Sequence, residues 1–171
     1  MTRRIWFNRS FDLGLPAEAF PDILERLRGT PARLEERLTG VPPATLARRF
    51  DDKWSIQENV GHLTDVEPLW MTRLAELLAG APVLAAADLT NRRTVEANHN
   101  EQPIGAVLRA FRAARRGFVG KLETVPEAAL GHSALHPRLK QPMNITDLCF
   151  FVAEHDDHHL ARITEVLRAH G

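Results

Sequence analysis

Between Asn144 and Val166 the residues Leu148, Phe151, Val152, His155, His159, Ile163 and Val166 recur at helical intervals, so one stripe of a long helix carries both apolar side chains and two histidines. A stripe of that length must be buried against other long elements, which makes a helical bundle the natural host. Within it, Glu154-His155-Asp156-Asp157-His158-His159 places three imidazoles and three carboxylates in six residues. Residues four apart lie one above the other on a helix, so His155 and His159 can aim two ring nitrogens at one point. The spacing matches that of HExxH zinc helices, but the internal Glu is missing, and that mechanism does not carry over. A zinc site that does chemistry uses three protein ligands and one open position, so a third ligand must come from elsewhere in the chain.

His62 is the candidate. The segment Trp54-Ser55-Ile56-Gln57-Glu58-Asn59-Val60-Gly61-His62-Leu63 reads as the start of another long helix, with Ser55 and Glu58 spaced as a capping box. His62 follows two turns in, among Ile56, Val60, Leu63, Val66, Leu69 and Trp70, which places it on the inward face. A buried neutral imidazole needs a partner, and a shared metal ion provides one. The competing explanation is a core histidine bonded to a carboxylate, with the acidic run as a charged helix face. Asp156 and Asp157 are expected on the solvent side or as groups orienting a ring N–H. Glu58, one turn before His62, is the candidate for a supporting or proton-accepting role.

The blocks WSIQENVGHL and AEHDDHHLARI together resemble the DinB/YfiT-like family. The resemblance runs from about Pro21 to His170. It implies an all-α four-helix bundle of DinB/YfiT type, with one metal-binding histidine on the second helix and two, four apart, on the fourth. These fall on His62, His155 and His159, and give His158 no such role. It also implies damage-inducible expression, a tendency to form homodimers, and relatives that use a low-molecular-weight thiol, among them bacillithiol transferases and mycothiol-dependent isomerases.

The rest of the chain fits one domain over residues 1–171. Its 171 residues, 44% hydrophobic and 26% charged, suffice for a sizeable core. Twenty-two basic residues balance 22 acidic ones, which leaves no net field for nucleic acid or an anionic membrane. Arg112, Arg115, Arg116 and Lys121 alternate with apolar residues and read as the solvated side of an amphipathic helix. Cys149, the single cysteine, excludes an internal disulfide and reads as packing. With no apolar leader at the N-terminus, the expected compartment is cytoplasmic.

Four helices are predicted: about Phe20 to Leu38, with Pro31 as a kink or restart; Ser55 to about Ala79, with a bend at Pro68; from Pro103 through Leu122; and a fourth capped by Asn144. Strand-like alternation is scarce. The connections run to about 15 and about 20 residues, longer than simple up-and-down bundles need, so at least one crosses the bundle. Their residues Asn91, Asn98, His99, Asn100, His132 and His136 are candidates for the walls of a site, His136 foremost among the histidines. Residues 1–19 form an extension, with Trp6, Phe7 and Phe11 covering either the bundle or a dimer partner. Three imidazoles suit Zn, Ni, Cu or Fe rather than Mg or Ca. The expected activity is metal-dependent thiol transfer or hydrolysis on a small molecule. The alternative is a non-catalytic bundle whose ion is structural or sensory.

Overall fold

The computed structural model describes residues 4–50 and 53–170; the ends of the 1–171 domain and of its N-terminal extension, with Asp51 and Asp52, lie outside the described residues. Four long helices, α1 (Phe20–Leu38), α3 (Ile56–Leu78), α5 (Ile104–Leu122) and α6 (Ile145–His170), form the bundle. Two five-residue helices, α2 (Pro43–Ala47) and α4 (Arg92–Glu96), lie in the connections. Helix α1 packs on α5 and α6, and so does α3, so α1 faces α3 diagonally and α5 faces α6 diagonally. The connections α1–α3 and α5–α6 therefore cross the bundle, which explains their length. Pro31 lies inside α1 and Pro68 inside α3, and neither ends its helix.

The helix starts follow local chemistry. Ser55 Oγ accepts the Glu58 amide at 3.0 Å while Glu58 Oε2 accepts the Ser55 amide at 2.8 Å, a reciprocal capping box. Asn144 and Asp147 repeat the arrangement at the start of α6, at 2.8 and 3.0 Å. The Asp147 carboxylate also accepts the amides of Gly14 and Leu15 and so ties the N-terminal segment to α6. Trp6 and Phe11 turn inward onto Phe151, with ring centroids 5.2 and 5.0 Å away, while Phe7 stays exposed.

The expected scarcity of strands holds with one exception. β1 (Ser133–Leu135) pairs antiparallel with β2 (Pro142–Asn144), Ser133 opposite Asn144. The α3–α4 connection joins this hairpin: the Leu84 amide donates to Leu135 O, and the Leu135 amide to Pro82 O, both at 3.0 Å. These bonds hold His136 and the hairpin turn over the end of α3.

Two apolar clusters fill the bundle, one containing Leu27, Trp70, Phe118 and Val152, the other Leu34, Leu63, Phe111 and Leu160. A buried polar layer lies between them in sequence on every helix: Thr30, Glu67, Arg115 and Asp156. Arg115 bonds Glu67 and both Asp156 oxygens, and Thr30 Oγ1 donates to Asp156 Oδ2 at 2.8 Å. Two sequence expectations are corrected here. Arg115 is not on a solvated face but 1% exposed, because two carboxylates inside the bundle require its charge. Asp156 is neither solvent-facing nor an orienter of a histidine, since its oxygens are engaged by Arg115 and Thr30. Cys149 is buried in α6, and burial pushes its thiol pKa up, as expected of a packing residue. Among the described residues no helix is long and apolar enough to cross a membrane.

Candidate metal centre

The acidic residues of the 154–159 run fix how α6 is rotated. Glu154 bonds Arg9 and Arg26, and Asp157 bonds Arg26 and Arg33, so these carboxylates are drawn toward α1 and the N-terminal segment. His155 and His159 are left facing α3, where they meet His62. One nitrogen from each of His62, His155 and His159 lies within 4.8 Å of the other two, and all three side chains are buried. Two stretches of chain that are 93 positions apart at their nearest histidines thus converge on one point, reading His155 against His62.

Each ring is oriented by a neighbour. Asn59 Nδ2 donates to Ser55 O at 2.7 Å, which turns its Oδ1 toward His159 Nδ1, 2.8 Å away. An oxygen there can only accept, so His159 carries its proton on Nδ1 and turns Nε2 toward the centre. His62 Nδ1 lies 3.0 Å from Thr94 Oγ1, and Thr94 in turn stands beside Asp65 and helps hold its carboxylate below the usual pKa. With Nδ1 held by Thr94, His62 presents its Nε2 to the centre. His155 Nε2 stands 3.3 Å from His159 Nε2, and its buried Nδ1 has no hydrogen-bond partner. Burial lowers the His62 pKa to about 4 and holds His155 well below the ordinary histidine value. His62 and His155 are therefore neutral at pH 7, the state in which an imidazole ligates a metal. Three imidazole nitrogens gathered within 4.8 Å of one another on buried side chains fit a borderline transition-metal ion.

The histidines sit in the wall of a half-open cavity of about 650 Å³. Trp54, Leu69, Trp70 and Phe151 give it apolar walls, Thr94 and Asn91 close one side, and His136 and Arg138 stand on another. His158 borders it against Trp6, their ring centroids 5.4 Å apart, outside the three-histidine group. His136 shares the cavity across Phe151, with centroids 5.3 Å apart, and is not a member of that group either. His99 lies against the α3 backbone at Gly61 and bonds Asp65 at 2.8 Å. Asn100 accepts the Ser55 hydroxyl, while His132 is exposed. Asn91 and Asn98 adopt left-handed backbone, φ 53° and 50°, which asparagine tolerates and which turns the connection over α3.

Glu58 does not line the cavity. Its carboxylate caps α3 and pairs with Arg49 through Nε and Nη2. Burial works to raise its pKa, but the bonds from Arg49 and Ser55 outweigh burial and hold it below the usual value. Thr94, Asp65, Arg73 and Arg138 were not singled out from the sequence. Asn59 lay within the quoted helix-start block, three positions before His62, and only the fold shows that it serves His159.

Comparison with known proteins agrees with this architecture. A sequence profile of the DinB superfamily matches residues 26–163. Among solved structures, YfiT from Bacillus subtilis, described as a probable metal-dependent hydrolase with an unusual four-helix bundle topology, superposes with a TM-score of 0.78 at 20% identity, covering 95% of this chain and 94% of its own. The mycothiol-dependent maleylpyruvate isomerase superposes with a TM-score of 0.65 at 13% identity, covering 85% of this chain and 60% of its own. No curated protein matches the sequence. With 138 consecutive positions inside the profile and a four-helix bundle of the same kind, the chain belongs to the DinB superfamily.

Proposed function

We propose that this protein is a metal-dependent enzyme acting on a small molecule, with His62, His155 and His159 holding a divalent transition metal, Zn, Ni or Fe. The observation that carries the reading is the convergence of three buried imidazoles in the wall of an open cavity. A purely structural zinc site is closed by four protein ligands, whereas here three face a space large enough for a substrate. Bound there, such an ion supplies Lewis acidity and activates a water or a thiol as nucleophile near neutral pH.

The chain's own residues do the rest. Asn59 and Thr94 orient His159 and His62, Glu58 and Ser55 hold the first turn of α3 from which Asn59 projects, and Trp54 and Trp70 limit water at the centre. The description of YfiT favours hydrolysis, and that of the mycothiol-dependent isomerase favours a thiol cosubstrate. Metal content by elemental analysis, in wild type and in His62→Ala, His155→Ala and His159→Ala, tests the site. Stoichiometric metal in wild type, lost from each variant together with ester hydrolysis or thiol conjugation, is the expected result. Metal retained in all three variants rejects the triad. Chelation that lowers Tm while no activity is found at all favours a structural ion instead.

A further inference from the structure

The cavity has a second end whose chemistry is all donor. His136 Nδ1 accepts two backbone amides, Arg138 N at 3.2 Å and Leu139 N at 3.1 Å. A neutral imidazole with an accepting Nδ1 carries its proton on Nε2. Yet His136 Nε2 lies 3.1 Å from Arg73 Nη1, which can only donate. Two N–H groups therefore face one another. Burial, with Arg73 and Arg138 nearby, lowers the His136 pKa to about 4, so no change of charge near neutral pH relieves the conflict, and the other tautomer would only move it to Nδ1.

More donors point the same way. Arg138 Nη2 and Trp70 Nε1 are buried without hydrogen-bond partners, and both residues line the cavity. Arg73 is 2% exposed, and its Nε and Nη2 both donate to Ala85 O, which leaves three of its five N–H groups, one of them turned toward His136. Among the described residues neither Arg73 nor Arg138 has a carboxylate within ion-pair distance. The acids in the neighbourhood are engaged: Glu76 accepts the Ala85 amide, Asp65 is bonded to His99, and Asp88 caps Thr90 and Arg92. Glu76 acts on Arg73 only from beyond ion-pair distance, and a buried guanidinium with no anion in contact is costly, so the missing component is an anion.

We propose that Arg73, Arg138 and His136 form a recognition site for the carboxylate of the substrate, whose apolar body lies along Trp70 and Phe151 toward the histidines. This rests on the metal-enzyme reading for the word substrate, though not for the anion site itself. An oxygen between Arg73 Nη1 and His136 Nε2 accepts from both and turns their repulsion into two bonds, and the second oxygen is offered to Arg138 or Trp70. The distances suit a compact molecule. The Trp70 ring stands 5.5 Å from Arg73 Cζ and 5.7 Å from the His155 ring, so a single aromatic ring separates the anion site from the metal histidines. The substrate class that follows is a small monocarboxylate with an apolar middle and its reacting group at the far end.

The test uses metal-free protein prepared with a chelator, so that a carboxylate cannot register by binding the ion. Sodium phenylacetate, its neutral isostere phenylacetamide and inorganic phosphate are titrated calorimetrically into wild type, Arg138→Gln and Arg73→Gln. Phenylacetate is expected to bind at least about tenfold tighter than the amide and to lose about tenfold in Arg138→Gln, the scale of one charge-assisted hydrogen bond. In the nitrogen-15 spectrum the His136 Nε2 signal should move with the acid and not with the amide. Arg138→Gln, at the rim, keeps the experiment decisive if the buried Arg73→Gln fails to fold. Equal binding of acid and amide, or wild-type binding of the acid by Arg138→Gln, overturns the site, and tighter binding of phosphate overturns the carboxylate assignment. Metal content is measured before chelation: wild type purified without stoichiometric metal but with anion binding intact sinks the metal reading alone, and the reverse sinks the anion site alone.

Discussion

Thr94 Oγ1 lies 3.0 Å from His62 Nδ1, so a residue of the five-residue helix α4 sets which nitrogen of a histidine on α3 faces the centre. Thr94 also stands beside Asp65 and helps lower its pKa, which places a hydroxyl and then a carboxylate behind the candidate ligand. Removing such support costs roughly 10- to 100-fold in metal affinity in characterised sites. Thr94→Val and Asp65→Asn should therefore weaken metal binding by about that factor in a chelator competition, with the helical circular dichroism unchanged. Asn59→Leu should do the same through His159. Unaltered affinity in all three would show that the ring orientations are set by packing alone.

A Cβ built on Gly61 would stand 2.3 Å from two atoms of the His99 ring, which itself is held to Asp65. Alanine is the better helix former by about 1 kcal/mol, so propensity alone predicts stabilisation. The clash should win, at about 1–3 kcal/mol of destabilisation, because His99 must leave its pocket or push the α4–α5 connection outward. The double variant Gly61→Ala/His99→Ala should recover most of the loss in urea denaturation, whereas His99→Ala alone should not stabilise.

How far the sequence reached depends on what carried each signal. Helix boundaries were legible because caps and apolar periods are local: Ser55 with Glu58, and Asn144 with Asp147, sit where the residues alone place them. The pairing of His155 with His159 was legible from their spacing, and His62 from its place on an apolar face. Arg115 was misread because a buried arginine looks like a surface one until Glu67 and Asp156, 48 and 41 positions away, are brought to it. The role of Thr94 depends on α4 folding over α3 across a connection with no period of its own. Arg73 and His136, 63 positions apart, meet only because the hairpin β1–β2 is stitched to the chain after α3.

The Arg115 layer yields a prediction about stability. Arg115→Met leaves two carboxylates in the bundle without their cation and should cost about 3–5 kcal/mol. Replacing all three members together, as Arg115→Met, Glu67→Leu and Asp156→Leu, should recover most of that loss, since no buried charge remains. Guanidinium unfolding midpoints of the single and triple variants decide the matter: equal midpoints would mean that the layer contributes packing rather than charge balance.

One guanidinium shared between two buried carboxylates also makes stability depend on pH. Burial, assisted by Asp156 and opposed by Arg115, pushes the Glu67 carboxyl up to about 7 from an ordinary value of 4.5. The native state then keeps a proton that the unfolded chain has lost, so this contribution is present in full below about pH 4.5 and disappears as pH rises through about 7. Neutral His62 acts with the opposite sign: its contribution is present above pH 6.5 and is lost as pH falls through about 4, so the two offset each other in wild type. Glu67→Gln mimics the protonated carboxyl and isolates the first effect. The variant should match wild type near pH 4.5 and become progressively more stable than it up to pH 7, by up to about 1 kcal/mol per pH unit, with a constant difference above. A stability difference that stays flat from pH 4.5 to 8 would show that Glu67 is ionised throughout and that Arg115 neutralises both carboxylates.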